Sequence, residues 1–558
     1  MSDISLAVSA RGRAVLDDPR VNRDLAFTHD ERAALGIDGL LPAAVQSLEE
    51  QVSVARAQVL SHDEPLERYV TLASIEERNQ TLYYRLLHDH VEDMMPIVYT
   101  PTVGAACQRW SRIPRRPRGL WITPQHRGRI REVLANAPPK VRLVVATDNE
   151  RILGLGDLGA GGAGIPVGKL ALYVVAAGLS PHEVLPISID VGTDNTELLE
   201  DASYVGHRAR RLRGPAYESL VEELVDALVE RYPGVLLQWE DFKKQNAIDV
   251  LERHRARVLS FNDDIEGTAA VALAGILGAA RKSGIPLRDQ RVLIVGAGTA
   301  GLGIGRLVRR ELAAAGLSGD ALVRSVAVLD SQGLLVESRP SRDTYKAELA
   351  WPTSLARAVG VEQHGMSIAD YVHKLRPTAL VGTTGQPRIF DELVVRAMVE
   401  VCELPVIFPL SNPTSTSEAD PADVVRWAKG RVLVATGSPF PDVRHEGRLH
   451  RVAQGNNVWI FPGVGKGALV SGARTVSEGM FLAAAHALAE SLTDQELGEH
   501  ALYPRLTRLR EVTANVALRV AHIAVAEGLA PPATDDALRA RIAADTWEPR
   551  YAKLVAEG

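Results

Sequence analysis

The sequence predicts an α/β protein. Short apolar runs that read as strands alternate with helical stretches from Arg142 onward. Glycine-rich turns follow two of those runs, and acidic doublets close two others. Alternation of this kind builds a mostly parallel sheet with helices packed on it. The 558 residues are enough for a large core and more than one domain.

Residues 1 to about 95 carry periodic Leu and Val among many charges and read as a helical N-terminal region. Strands are expected at 141–147 and 152–155, a helix at 167–177, a strand at 184–189 and a helix at 220–232. The run Gly-Val-Leu-Leu-Gln-Trp then ends in Glu240-Asp241. A second run, Arg-Val-Leu-Ser-Phe, ends in Asn262 and Asp263-Asp264. A second α/β unit starts near Asp263, with helices at 265–283 and 301–315 and strands at 290–295 and 325–329. Further strands are expected at 379–383, 406–409 and 431–435. After Gly463 the chain turns helical again. The last thirty residues, rich in Pro, Asp and Arg, read as a tail packed on the surface or on a partner subunit.

Composition removes several functions. Net charge is 63 − 69 = −6 with both signs dispersed, which argues against nucleic acid as a partner. The basic, proline-broken stretch 109–131 reads as a solvated connection. Two cysteines, Cys107 and Cys402, cannot build a disulfide framework or a Cys-type zinc site, so a reducing, cytoplasmic setting is expected. The fifteen histidines show no ligand spacing. The apolar stretch 269–280 is too short and glycine-broken to span a bilayer, and no export signal or clear transit peptide is read at the N-terminus.

The acidic doublets carry the first chemistry. Strands that end in carboxylates place them at the mouth of a sheet, where open α/β proteins bind ligands. Four clustered carboxylates repel unless a cation or proton sits among them. A hard divalent ion, Mg²⁺ or Mn²⁺, suits an all-oxygen site, although one doublet alone would read as exposed charge.

Two glycine loops match a dinucleotide pattern. Gly296-Ala-Gly298-Thr-Ala-Gly301 follows the strand Arg-Val-Leu-Ile-Val and opens a helix, and Asp330 closes the next strand. That context gives a pyrophosphate close backbone approach and a helix N-terminus, and gives a ribose a carboxylate acceptor. Gly154-Leu-Gly156-Asp-Leu-Gly159 matches equally by pattern, with a later strand ending at Asp190. Arg151 before it and Lys169 after it suit a small acidic substrate. Lys169 is a candidate base, since burial lowers a lysine pKa, though a solvent-facing helix lysine is the plainer reading. Tyr99 in Val-Tyr-Thr-Pro-Thr could be a core tyrosine. Asn412 before Pro413 has turn chemistry, with amide contact to a carboxylate or nicotinamide as the alternative. Asn457 poses the same choice.

Taken in order, these segments resemble the malic enzymes over nearly the whole chain. The matching pieces are Met-Pro-Ile-Val-Tyr-Thr-Pro-Thr-Val-Gly (95–104), Arg-Gly-Leu-Trp-Ile-Thr (118–123), Glu-Arg-Ile-Leu-Gly-Leu-Gly-Asp-Leu-Gly (150–159) and Gly-Ile-Pro-Val-Gly-Lys-Leu (164–170). They continue with Asp-Val-Gly-Thr-Asp-Asn (190–195), both acidic doublets, Gly-Ala-Gly-Thr-Ala-Gly, Leu-Ser-Asn-Pro-Thr and Gly-Asn-Asn-Val-Trp-Ile-Phe-Pro-Gly (455–463). Each is weak alone, and the ordered set is specific.

The resemblance implies oxidative decarboxylation of (S)-malate to pyruvate and CO₂ with reduction of NAD or NADP, dependent on Mg²⁺ or Mn²⁺. It implies Tyr99 as general acid, Lys169 as general base, and Asp263 behind Lys169 to tune it. Glu240, Asp241 and Asp264 become the metal ligands. Arg151 would hold a substrate carboxylate beside the nicotinamide, and Asn412 and Asn457 would lie near substrate and nicotinamide. Gly296, Gly298, Gly301 and Asp330 become the dinucleotide loop and its ribose acceptor, and the loop 154–159 falls to the substrate side. The cofactor choice stays open, because Lys346, Ser331 and Arg342 could serve a 2′-phosphate. Arg78 falls in a motif similar to a family effector site, with no partner identified.

The expected organisation is 1–262 as helical region plus malate- and metal-binding domain, 263–457 as a Rossmann-type doubly wound dinucleotide-binding domain, 458–530 as a helical return onto the substrate domain, and 531–558 as a tail. A homodimer or homotetramer, with no membrane or nucleic-acid partner, is implied. Two alternatives remain: a malolactic-type conversion of malate to lactate, and a catalytically silent dinucleotide sensor.

Overall fold

The computed structural model describes residues 5–556 apart from 114–115, 340, 342 and 362–364. Arg342, named above for a 2′-phosphate, therefore lies outside the described residues. Helices dominate the N-terminal region. Leu48–Leu60 opens with Ser47 and Glu50 bonded reciprocally to each other's backbone N–H, a capping box of about 1 kcal/mol. The helices Pro65–Arg78, Gln80–Asp89 and Val91–Val98 follow, and the last ends at Tyr99.

The first sheet has five parallel strands in the order Leu120–Ile122, Val184–Ile189, Leu143–Thr147, Leu236–Trp239, Leu259–Asn262. The last three are buried along their whole length, as strands covered on both faces must be. From Leu143–Thr147 the chain runs first to one neighbour and later to the other. The strand order reverses there, so a crevice opens at the carboxyl ends.

The second sheet has seven strands in the order Ala453–Gln454, Leu433–Thr436, Val406–Pro409, Ala379–Gly382, Val292–Val295, Val326–Asp330, Gly333–Leu334. All pairs are parallel except the last. Counted from Val292–Val295, this is the 3-2-1-4-5-6 order of a doubly wound dinucleotide fold with its third strand reversed. One large apolar core runs from the N-terminal helices through both units, and a separate core fills the far face of the second sheet.

Two elements differ from expectation. No strand forms at 152–155. Asn149, Leu153 and Gly156 take φ values of 63°, 49° and 82°, and the Ile152 N–H donates to the Gly156 carbonyl at 2.9 Å. Left-handed backbone cannot continue a strand, so the apolar run closes into a loop. The expected helix at 265–283 starts as a π-helical turn, Asp263–Gly267, before Thr268–Ser283 becomes α-helical.

The tail is structured and fastened to its own chain. Thr534 caps the helix Asp535–Ala544, and Lys553–Ala556 pairs in parallel with Ser5–Val8. Asp545 accepts from Lys466 Nζ at 2.7 Å and Arg142 Nη1 at 2.6 Å. Of the C-terminal helices, Phe461–Ser471 and Leu509–Ala526 pack together on Gly164–Ala177, while Glu478–Glu490 lies on Thr268–Ser283. The segment Gly159–Ala177 is long and apolar enough to cross a membrane, but 94% of its most apolar window is buried within the protein.

Candidate active site

Both acidic doublets emerge at the carboxyl ends of adjacent strands, Leu236–Trp239 and Leu259–Asn262. Ligand oxygens of Glu240, Asp241 and Asp264 lie within 4.8 Å of one another. The Asp241 backbone N–H donates to Asp264 Oδ2 at 2.8 Å, and Asp241 takes a left-handed φ of 56°. Asp241 Oδ2 is buried with no hydrogen-bond partner. Burial raises the pKa of all three carboxyls, and repulsion from neighbouring carboxylates, Asp263 among them, adds to it. An unsatisfied buried carboxylate oxygen inside a repelling oxygen cluster fits a hard divalent cation.

Lys169 is 1% exposed on the buried helix Gly164–Ala177. Its Nζ lies 2.7 Å from Glu240 Oε1 and in direct contact with Asp263 Oδ2. Burial opposes its charge, but Asp263 and Glu240 outweigh burial and hold the ammonium well above the ordinary lysine range. The expectation that burial lowers this pKa fails because two anions stand beside the ammonium among the apolar groups of the pocket. Asn457 Nδ2 donates to Asp263 Oδ2 at 3.0 Å and to Thr268 Oγ1 at 3.0 Å. Asn457 thus lines the cleft but commits its amide hydrogens to Asp263 and Thr268.

Tyr99 packs in the same pocket, with Lys169 Nζ 5.8 Å from its ring centre. Burial raises its pKa well above the ordinary value, so the phenol keeps its proton. Arg151 lines both this pocket and the adjoining dinucleotide cleft, and its Nη1 donates to Thr299 Oγ1 at 3.3 Å. Asn412 lies across the pocket, its Oδ1 accepting from Ser438 Oγ at 2.6 Å.

The loop 296–301 has the geometry of a phosphate cradle. Gly296 takes φ 119°, and a Cβ at Gly301 would lie 1.9 Å from the Gly296 carbonyl. Gly298 precedes the helix Thr299–Ala314, whose free N–H groups face the cleft end. Asp330 lines this cleft together with Ser331. Its oxygens already accept from Lys346 Nζ at 3.0 Å and Arg339 Nη1 at 3.1 Å. At the other loop, a Cβ on Gly154 would lie 2.3 Å from the Asn412 carbonyl, so that turn presses against the second unit.

Residues 76–255 match the model of the malic enzyme N-terminal domain, and residues 265–525 match that of the malic enzyme NAD binding domain. The NAD-dependent malic enzyme of Shewanella sp. (strain MR-4) is 43% identical over 541 residues, 97% of this chain and 96% of the relative. The Vibrio campbellii NAD-dependent malic enzyme is 43% identical over 547 residues, 98% and 97% of the two chains. The chain belongs to the malic enzyme family. Crystal structures agree on the fold. Entamoeba histolytica malic enzyme has a TM-score of 0.58 at 22% identity, covering 92% of this chain and 90% of that one. The malic enzyme from Pyrococcus horikoshii Ot3 has a TM-score of 0.54 at 23% identity, covering 82% and 89%.

In this malic enzyme the structure adds residues that sequence reasoning missed. Gln238 Nε2 donates to Glu240 Oε2 at 2.9 Å, and Tyr173 OH donates to Gln238 Oε1 at 2.5 Å. Gln238 sits two residues before Glu240, on the same strand face, and Tyr173 four after Lys169, on the same helix face. Those spacings were a usable signal. Glu418, fully buried, accepts from the Thr384 N–H at 2.7 Å and Ser411 Oγ at 2.6 Å, tying two cleft loops together. Nothing in its local sequence marked it.

Proposed function

We propose that Glu240, Asp241 and Asp264 hold Mg²⁺ or Mn²⁺, and that this malic enzyme converts (S)-malate and NAD to pyruvate, CO₂ and NADH. The observation that carries the reading is the buried carboxylate trio beside Lys169, at the mouth of the dinucleotide cleft. When bound, the divalent ion draws electron density from the substrate's oxygens and NAD accepts the hydride.

The chain's own residues do the rest. Arg151 spans both clefts and holds a substrate carboxylate beside the nicotinamide end. Lys169 takes the hydroxyl proton, for which it must first release its own. Asp263, in direct contact, is the acceptor that needs no intervening water. Asn457 fixes Asp263 in that position. Tyr99 keeps its proton and delivers it to C3 after CO₂ departs. Asn412, its carbonyl bound to Ser438, has its amide N–H groups left to donate to substrate or nicotinamide. Asp330 accepts the ribose hydroxyls, and its carboxylate repels a 2′-phosphate.

Incubation with (S)-malate, Mn²⁺ and NAD should yield NADH and pyruvate one for one. Lactate without free NADH would instead establish the malolactic-type reaction. A homodimer or homotetramer is the assembly we expect, and a monomer mass by light scattering at assay concentration would reject it.

A further inference from the structure

Arg151 sits on a loop whose apolar anchor is Ile152, fully buried in the main core, with Leu153 and Leu155 packed against it. Residues 149–156 contain three left-handed positions, and Arg151 itself is exposed. That anchor does not fix Arg151 itself, whose backbone and near neighbours are held by polar contacts. Two of these run to the metal-binding side: the Arg151 N–H donates to the Asp241 carbonyl at 3.2 Å, and the Leu153 N–H to Asp241 Oδ1 at 3.2 Å.

The loop's two ends meet on one distant side chain. Arg211 comes from the segment after Val184–Ile189, 60 residues on from Arg151 in sequence. Its side chain is 1% exposed. Nε donates to Asp157 Oδ2 and Nη2 to Asp157 Oδ1, both at 2.7 Å, while Nη1 donates to the Asp148 carbonyl at 2.7 Å. Asp148 precedes the loop and Asp157 follows it. Asp157 is itself anchored by the Gly159 N–H at 2.9 Å, Thr193 Oγ1 at 2.8 Å and the Asp194 N–H at 2.9 Å. Glu150, just before Arg151, is held by Arg213 Nη2 at 2.7 Å.

We propose that Arg211 is a positioning residue that clasps both ends of the loop 149–156 and so sets Arg151 against the metal-ligand Asp241. Only a planar guanidinium can bind a carboxylate through two parallel bonds and reach a carbonyl with its third nitrogen. A lysine at this position satisfies one end of the loop at a time. The loop then loses the fixed span between Asp148 and Asp157, and Arg151 loses its register with the pocket. The proposal rests on the reading that Arg151 holds a substrate carboxylate.

The test compares Arg211→Lys, Arg151→Lys and the double variant for malate KM and kcat with Mn²⁺ and NAD. Hydrogen exchange of the amides at 149–156 is measured on the same proteins. We expect Arg211→Lys to raise malate KM at least ten-fold with a smaller fall in kcat, and to speed exchange in the loop at least ten-fold. The double variant should lose little beyond the larger single loss. Unchanged KM and exchange, or losses that multiply in the double variant, would overturn the clasp. If Arg211→Lys fails to fold, Asp157→Asn is held to the same criteria. If Arg151→Lys leaves malate KM intact, the role given to Arg151 fails instead. The clasp is then judged on loop exchange alone, and normal protection rejects it.

Discussion

Each oxygen of Asp330 has a cationic partner, and this shapes what the dinucleotide cleft accepts. Lys346 and Arg339 hold the carboxylate below its ordinary pKa against the opposing effect of burial. The anion therefore persists at neutral pH and lines the cleft beside the loop 296–301. Lys346, which from sequence could have served a 2′-phosphate, is already paired. Replacing Asp330 by Ser removes the repelling charge and frees both cations for a phosphate. The ratio of kcat/KM for NADP over NAD should then rise at least ten-fold, about 1.4 kcal/mol of discrimination. An unchanged ratio would show that selectivity lies elsewhere. The same reasoning corrects Lys169. Its helix position gives no hint of pKa, because the anions around it come from strands about 70 and 90 residues later in sequence.

At the scale of the element, the second doublet lies in the π-helical turn Asp263–Gly267, where Asp263 contacts Lys169 and Asp264 joins the carboxylate cluster with Glu240 and Asp241. Gly267 is needed there for space, since a Cβ would lie 1.8 Å from Asp263 Oδ1. Gly267→Ala must push Asp263 away from Lys169. We expect kcat to fall at least a hundred-fold, with NAD affinity, read by nucleotide fluorescence, within about three-fold of wild type. A fully active variant would mean that Asp263 does not need its observed place. Nothing in the apolar pattern of 265–283 announced the turn, because a single π turn is too short to leave its own period in the sequence. Strands 184–189 and 406–409 were legible to the residue, since short apolar runs rich in Val and Ile are bounded there by Glu183 and Asp190, and by Pro405 and the Leu410-Ser411 step. The run 152–155 was apolar too, but its glycines and left-handed positions turned it into a loop. For the tail, composition left a surface and a partner subunit open; its helix rests on a Thr534 cap and the Asp545 ion pairs, and the partners Arg142 and Lys466 are distant in sequence.

At the scale of the molecule, the C-terminal segment is sewn to the dinucleotide unit by a buried polar seam. Arg451 Nη2 donates to the Tyr503 carbonyl at 2.7 Å, and Tyr503 OH to the Val271 carbonyl at 2.9 Å. Within the seam His500 Nδ1 and His450 Nδ1 share a hydrogen bond of 3.2 Å, so one ring must offer a bare nitrogen. Burial pushes the His500 pKa down to about 4, helped by His450, Lys282 and Arg448; His450 is also lowered by burial, with His445 and Arg448 adding to it. The unfolded chain titrates His500 near 6.5. Above that pH both states are neutral and the contribution is whole. As pH falls below 6.5 the unfolded state gains a proton that the folded state refuses, and the stability is spent by about pH 4. Asn at 500 tolerates the left-handed φ of 61° and can still bond His450 without titrating. Urea unfolding at pH 7.5 and pH 5 should therefore show wild type losing about 1–2 kcal/mol more than His500→Asn over that interval. Parallel losses in the two proteins would mean that the seam does not couple protonation to the packing of the C-terminal segment.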